Sequence, residues 1–152
     1  MNNYKSESSL DLDPKLTICL IWIVSLITSA GISKSNGLST VIIIVSTLLL
    51  LIYEKKNTLV RNHAAQCLAL NLATILVSIL VNSIFRILVA LVFWIPVLNV
   101  VSTSMLIIAM TIVSVFFVLI NLLGLVKSFK FEPVSLPYIS KYAEIIEQAI
   151  GR

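Results

Sequence analysis

The sequence predicts an all-α integral membrane fold, a four-helix bundle with a short amphipathic C-terminal helix. Three observations lead there. Hydrophobic residues make up 59% of the 152-residue chain and charged residues only 12%, against about 25% charged in soluble domains. A soluble fold of this size leaves much of its surface exposed and cannot hide so much apolar area, whereas lipid acts as the apolar solvent. The apolar residues fall into four runs, and the basic residues collect between them on one side.

Residues 1–15 are polar and carry acids without an apolar core, which argues against a cleaved signal peptide. They read as a flexible cytoplasmic tail, with Asp13-Pro14 as the stop before the first span. Residues 16–32 form that span; 17 residues is near the short end for a helix crossing a bilayer. Ser33 to Gly37 reads as a turn containing Asn36-Gly37. The second span, 37–53, is rich in β-branched residues. A lone strand in lipid would leave its edges unsatisfied, so helix is the expectation. Tyr53 suits the headgroup level.

The link EKKNTLVRN, 54–62, is the most polar stretch between spans, and Asn62 is the expected cap of the next helix. The third span is read as 64–86. Its opening places His63, Gln66 and Asn71 on broadly one side. Ala64 to Phe85 covers about 33 Å of helix, which puts Arg86 near the opposite interface, where its side chain can snorkel. Residues 87–99 then read as an apolar turn at the far membrane surface. Trp94 acts there as an interfacial anchor with Arg86, and Pro96 opposes one continuous helix. The fourth span is 100–126, with Gly124 admitting a close neighbour. Together 16–127 form the membrane domain. Residues 128–152 form a second tail, with an amphipathic segment at 138–150 that lies on the membrane surface, on a partner or on its own domain.

Four spans put both tails and the 54–62 link on one face. That face carries Lys5, Lys15, Lys55, Lys56, Arg61, Lys127, Lys130, Lys141 and Arg152, against Lys34 and Arg86 on the other. The positive-inside rule makes it cytoplasmic, in the cell membrane. The net charge of +4 therefore points to the membrane surface rather than to nucleic acid.

The chemistry of common enzymes is missing from the pattern. There is one histidine, no HExxH, no phosphate-binding glycine loop and no acid inside a span. Nothing in the sequence places a nucleophile beside His63. No cofactor or metal is expected. Cys19 and Cys67 read as two small buried thiols. Scattered Ser, Thr and Asn in the spans join helices more often than they line a pore. Asn82 and Asn121, expensive to leave facing lipid, are expected to point into the bundle.

The segment YEKKNTLVRNHAAQCLALNL resembles a family of small bacterial membrane proteins of unknown function. That family is related to the twenty-kilodalton channel component of the chloroplast inner-envelope protein translocon. Lys55, Lys56, Leu59, Val60, His63, Leu68 and Asn71 stand at the matching positions, with Lys127 and Pro133 in the closing part. Gln66 stands where an acid is common, Cys67 where Ala is common and Ala69 where Asn is common. The resemblance spans about residues 38–133 and implies a helical architecture of about four spans.

The functional expectation is a non-enzymatic accessory or interaction subunit of a membrane transport or translocation system. Lys55, Lys56, Arg61, His63, Gln66, Asn71 and the amphipathic tail would form its contact surface, for a protein partner or a second copy. Two alternatives stand beside it: an oligomeric channel or carrier, and an immunity protein against a membrane-active peptide.

Overall fold

A computed structural model describes residues 13–29, 36–92, 95–136 and 139–150. It is all-α: α1 is Pro14–Ser29, α2 Asn36–Tyr53, α3 Thr58–Val92, α4 Pro96–Lys130 and α5 Ser140–Ile150, with no strand among the described residues.

Local chemistry sets each boundary. Asp13 opens α1: its carboxylate accepts from Lys15 N at 2.9 Å, its carbonyl accepts from Thr17 N at 3.0 Å, and Pro14 takes the first helical position. Glu54 closes the short link after α2 by accepting from the backbone N–H groups of Lys56 and Asn57. Asn57, not Asn62, caps α3. Its side-chain oxygen accepts from Leu59 N at 3.1 Å and Val60 N at 3.2 Å, so α3 starts six residues before the expected 64.

Most of the expected turn at 87–99 is helical: α3 runs on to Val92 and α4 begins at Pro96. Ile87 to Val92 contains no helix breaker, so α3 simply continues. Pro96 does oppose one continuous helix, and it takes the first position of α4, where a helical residue needs no N–H donor. Trp94 lies outside the described residues. At its other end α4 carries Lys127 and Lys130 in the last turn and stops at Phe131, which adopts the left-handed conformation at φ 55°.

α3 and α4 form an antiparallel hairpin, each arm 35 residues and about 52 Å long. α1 and α2 are less than half to just over half that length, at 16 and 18 residues, and they pack on only one end of the hairpin. There the core gathers Ile18 and Trp22 of α1, Ile43 and Leu51 of α2, Leu59 to Leu70 of α3 and Phe117 of α4. α5 and the strap before it close the same end, with Val134, Leu136 and Ala143 buried.

The result is a molecule with two unlike halves. From His63 to Asn71 every residue of α3 is buried; from Leu72 to Leu91 none is. On α4 the first buried residue is Phe117. The outer half carries large apolar side chains in the open, among them Leu76, Ile87, Leu91, Val97 and Ile107, each more than 60% exposed. α3 and α4 are the two helices long and apolar enough to cross a membrane. None of the most apolar 18-residue stretch of α3 is buried, and 17% of that of α4.

Candidate functional site: a buried clasp and a polar-lined groove

Three consecutive residues at the start of α3 hold the chain's last segment. Arg61 Nη2 faces Glu147 of α5 at 3.6 Å. Asn62 Oδ1 accepts from Val134 N at 3.0 Å, which explains why it is free of capping duty. His63 bridges two elements: Trp22 Nε1 donates to its Nδ1 at 2.9 Å, and its Nε2 lies 2.9 Å from the Glu132 carbonyl. An indole N–H only donates and a carbonyl only accepts. The ring therefore carries its proton on Nε2, donates it to Glu132, and is neutral in this arrangement.

Glu132 also meets Lys127, Nζ to Oε2 at 2.8 Å, across the end of α4. The hydrogen bond from Lys127, then its charge, holds the Glu132 carboxyl below the usual carboxylate range.

Trp22 needs space, and Gly124 gives it. A Cβ on Gly124 would fall within the indole ring's van der Waals envelope. The close neighbour expected at Gly124 is this ring.

A second polar layer lies deeper along α1. Ser25 and Ser29 are one helical turn apart, and each receives an asparagine amide. Asn71 of α3 donates to Ser25 Oγ at 2.9 Å, and Asn121 of α4 to Ser29 Oγ at 2.9 Å. Asn121 is fully buried, with its Oδ1 unpartnered. Asn71 is 4% exposed. Cys67 lies beside it as a buried thiol, and Cys19, 3.5 Å from Ser128 Oγ, is also free; the two share no disulfide.

Where α1 ends, a groove of about 1020 Å³ opens against the hairpin. Asn71, Thr74, Ser78 and Asn82 of α3 face Met110 and Ser114 of α4 across it, and Thr28 of α1 and Thr40 of α2 stand at its edge. The lining is mostly apolar and, among the described residues, includes no charged side chain. Asn82 is half-buried and donates to the Ser78 carbonyl at 2.9 Å, with Met110 Sδ at 3.7 Å. Arg86 is exposed, one turn further out on the same face of α3.

The structure separates the residues the sequence grouped as a contact surface. His63, Gln66 and Asn71 are buried at 0%, 2% and 4% exposure. Lys55 and Lys56 are exposed and Arg61 is half-buried. The reason is the all-round burial of α3 in this stretch, which gives polar residues there inward partners. Gln66 is the exception, with Oε1 buried and unpartnered. Asn82 and Asn121 both face inward, Asn82 to the groove and Asn121 to α1. Trp22, Ser25, Ser29 and Asn57 were not visible as site residues. The only sequence trace of the serine pair is its i, i+4 spacing on an apolar helix.

Among the described residues no group of three or more His, Cys, Asp or Glu could hold a metal ion. No protein-family model, curated protein or solved structure matches the chain.

Proposed function

We propose that the chain is a four-pass membrane protein with both termini on the cytoplasmic side, acting without catalysis as an accessory or interaction subunit of a membrane transport or translocation system. The observation that carries the membrane reading is the outer half of the α3–α4 hairpin. A soluble core helix of that apolarity is mostly covered by its own protein; here the apolar side chains point outward along both arms. Helices apolar on all sides are at rest in lipid. The short α1 and α2, about 24 and 27 Å long, complete the four spans with modest local thinning. The basic bias supports the cytoplasmic placement of the clasp.

The interaction reading rests on that cytoplasmic end. α5 packs against α2 and α3, whose connecting link carries the exposed Lys55 and Lys56; it buries Ala143 against the domain and turns Tyr142 and Ile145 outward at 65% and 55% exposure. An apolar pair on the end that carries basic residues suits a protein partner. The test is co-purification from gently solubilised membranes, with Tyr142→Ser and Ile145→Ser combined. The variant should resist carbonate extraction like wild type and lose its co-purifying partner. An unchanged partner set would remove α5 as the contact.

The groove favours a second reading, an oligomeric channel or carrier, since hydroxyl and amide groups from α1 to α4 reach it. Reconstituted protein with no flux above empty liposomes would count against that reading.

A further inference from the structure

We infer that the groove and Arg86 together form a binding site for one anionic phospholipid, its phosphate on Arg86 and its acyl chains in the groove. The inference rests on the membrane reading above and adds a ligand to it.

No Asp or Glu occurs anywhere between Glu54 and Glu132. Arg86 has no ion-pair partner among the described residues. It is not at the end of its helix either: α3 continues six residues, about 9 Å, past it. Exposed Ile87, Leu88 and Leu91 lie beyond it, and Val97 and Val100 start the other arm. A cation set back from an apolar tip can snorkel to the interface, and an anion there stabilises it further. The chain supplies none nearby, and the lipid phosphate is the anion found at that depth.

Below Arg86 lies a line of polar groups. Asn71, Ser78, Asn82 and Arg86 follow i, i+7, i+11 and i+15 spacing, so they run as one line down α3. Asn82 sits about 6 Å below Arg86 and Ser78 about 6 Å below that. The Ser78 hydroxyl makes no hydrogen bond within the described protein, and Asn82 keeps its Oδ1 unpartnered. These groups lie where the glycerol and ester oxygens hang beneath a phosphate bound at Arg86. At the bottom, Asn71 is nine-tenths buried, with its Nδ2 committed to Ser25 and the Cys67 carbonyl and its Oδ1 open.

Ile75, Ile79, Leu106, Met110 and Leu119 give the groove an apolar lining with no charge among the described residues, which suits hydrocarbon chains and excludes a second headgroup. The volume of about 1020 Å³ lies at the top of the range for small-molecule sites. A helix from a second copy would bring no phosphate to Arg86.

The test uses the full chain in nanodiscs of equal phosphatidylglycerol and phosphatidylcholine, with retained lipid counted by native mass spectrometry. Wild type should keep about one phosphatidylglycerol, about tenfold over phosphatidylcholine. Arg86→Gln should lose that preference, and Arg86→Lys should keep most of it. Ser78→Phe, which fills the groove, should lose retained lipid of both kinds. Equal retention of the two lipids by wild type overturns the proposal, as does an Arg86→Gln protein with wild-type preference. Lipid retention unaffected by Ser78→Phe, in protein with wild-type helicity, also overturns it. So does a wild-type dimer that Ser78→Phe makes monomeric while neither holds lipid, which assigns the groove to a second copy. If Ser78→Phe does not fold, the exposed Arg86 variants still decide. Carbonate extraction of wild type tests membrane residence separately: wild-type protein that is extracted defeats the membrane reading, and retained protein without lipid preference defeats only the site.

Discussion

Gly124→Ala adds one methyl group under a fully buried indole. The new Cβ would overlap the six-membered ring of Trp22. The ring cannot swing aside freely, because its Nε1 is held by His63 Nδ1 at 2.9 Å and its surface is buried. Three magnitudes compete. Alanine favours an interior helix position over glycine by up to about 1 kcal/mol. Overpacking a tight interface costs about 1–3 kcal/mol. If Trp22 moves, His63 Nδ1 becomes a buried acceptor without a donor, costing about 1–3 kcal/mol more. The packing terms win, and a net loss of about 1–5 kcal/mol is expected. The assay is thermal unfolding in detergent with Trp94→Phe in the background, so that emission reports Trp22 alone. The variant should unfold earlier with altered Trp22 emission. Trp22→Leu should relieve much of the loss, giving a double-mutant coupling well away from zero. A Gly124→Ala protein as stable as its parent, with unchanged emission, would falsify the close approach.

His63→Phe keeps a ring but loses both hydrogen bonds, so the 132–136 strap should be cut faster in limited proteolysis while the helices stay protected. Asn57→Ala removes the cap of α3 and should cost about 1 kcal/mol in chemical unfolding, whereas Asn62→Ala should act mainly on the strap, read by the same proteolysis. Lys127→Met should raise the titration midpoint of the Glu132 carboxyl in an NMR pH series. The sign follows from a folded value held below the ordinary one. The pair favours the fold above the ordinary carboxylate range, and that contribution fades as pH falls through the folded midpoint. Because Glu132 is exposed, the change in stability should be slight.

The long apolar runs were legible because α3 and α4 keep them without interruption. Their ends were less so. Asn57 and Asn62 are equally good caps by residue type, and only the Val134 N–H shows that Asn62 is used elsewhere. Pro96 does separate two helices, but residue type alone does not show that it opens α4 at once instead of following a longer turn. The clasp was hidden for another reason. His63 to Asn71 is buried on every face, so no periodicity separates inward from outward residues, and His63, Gln66 and Asn71 looked like a surface. Their partners, Trp22, Ser25 and Glu132, lie 41 to 69 residues away in the chain. Asn121 was legible from cost alone: an amide in an apolar helix must turn toward something polar, and Ser29 is there.

The polar residues of α3 thus divide at Asn71. Before it, His63 and Asn62 are satisfied by α1 and the C-terminal strap. After it, Ser78, Asn82 and Arg86 continue outward with few partners from the chain itself. Packing does not account for the second group. Leucine at 78 and 82 would join the hairpin as well and enter lipid more readily. On the insertion scale an arginine at a helix centre costs about 2.5–3.5 kcal/mol while leucine is favourable by about 0.5 kcal/mol. Position reduces that penalty for Arg86 but does not reverse it. A line of polar groups that weakens insertion and binds little within the fold is explained by something outside the chain. With an apolar groove below and Arg86 one turn beyond its last α3 lining residue, Asn82, that counterpart is an anion attached to hydrocarbon.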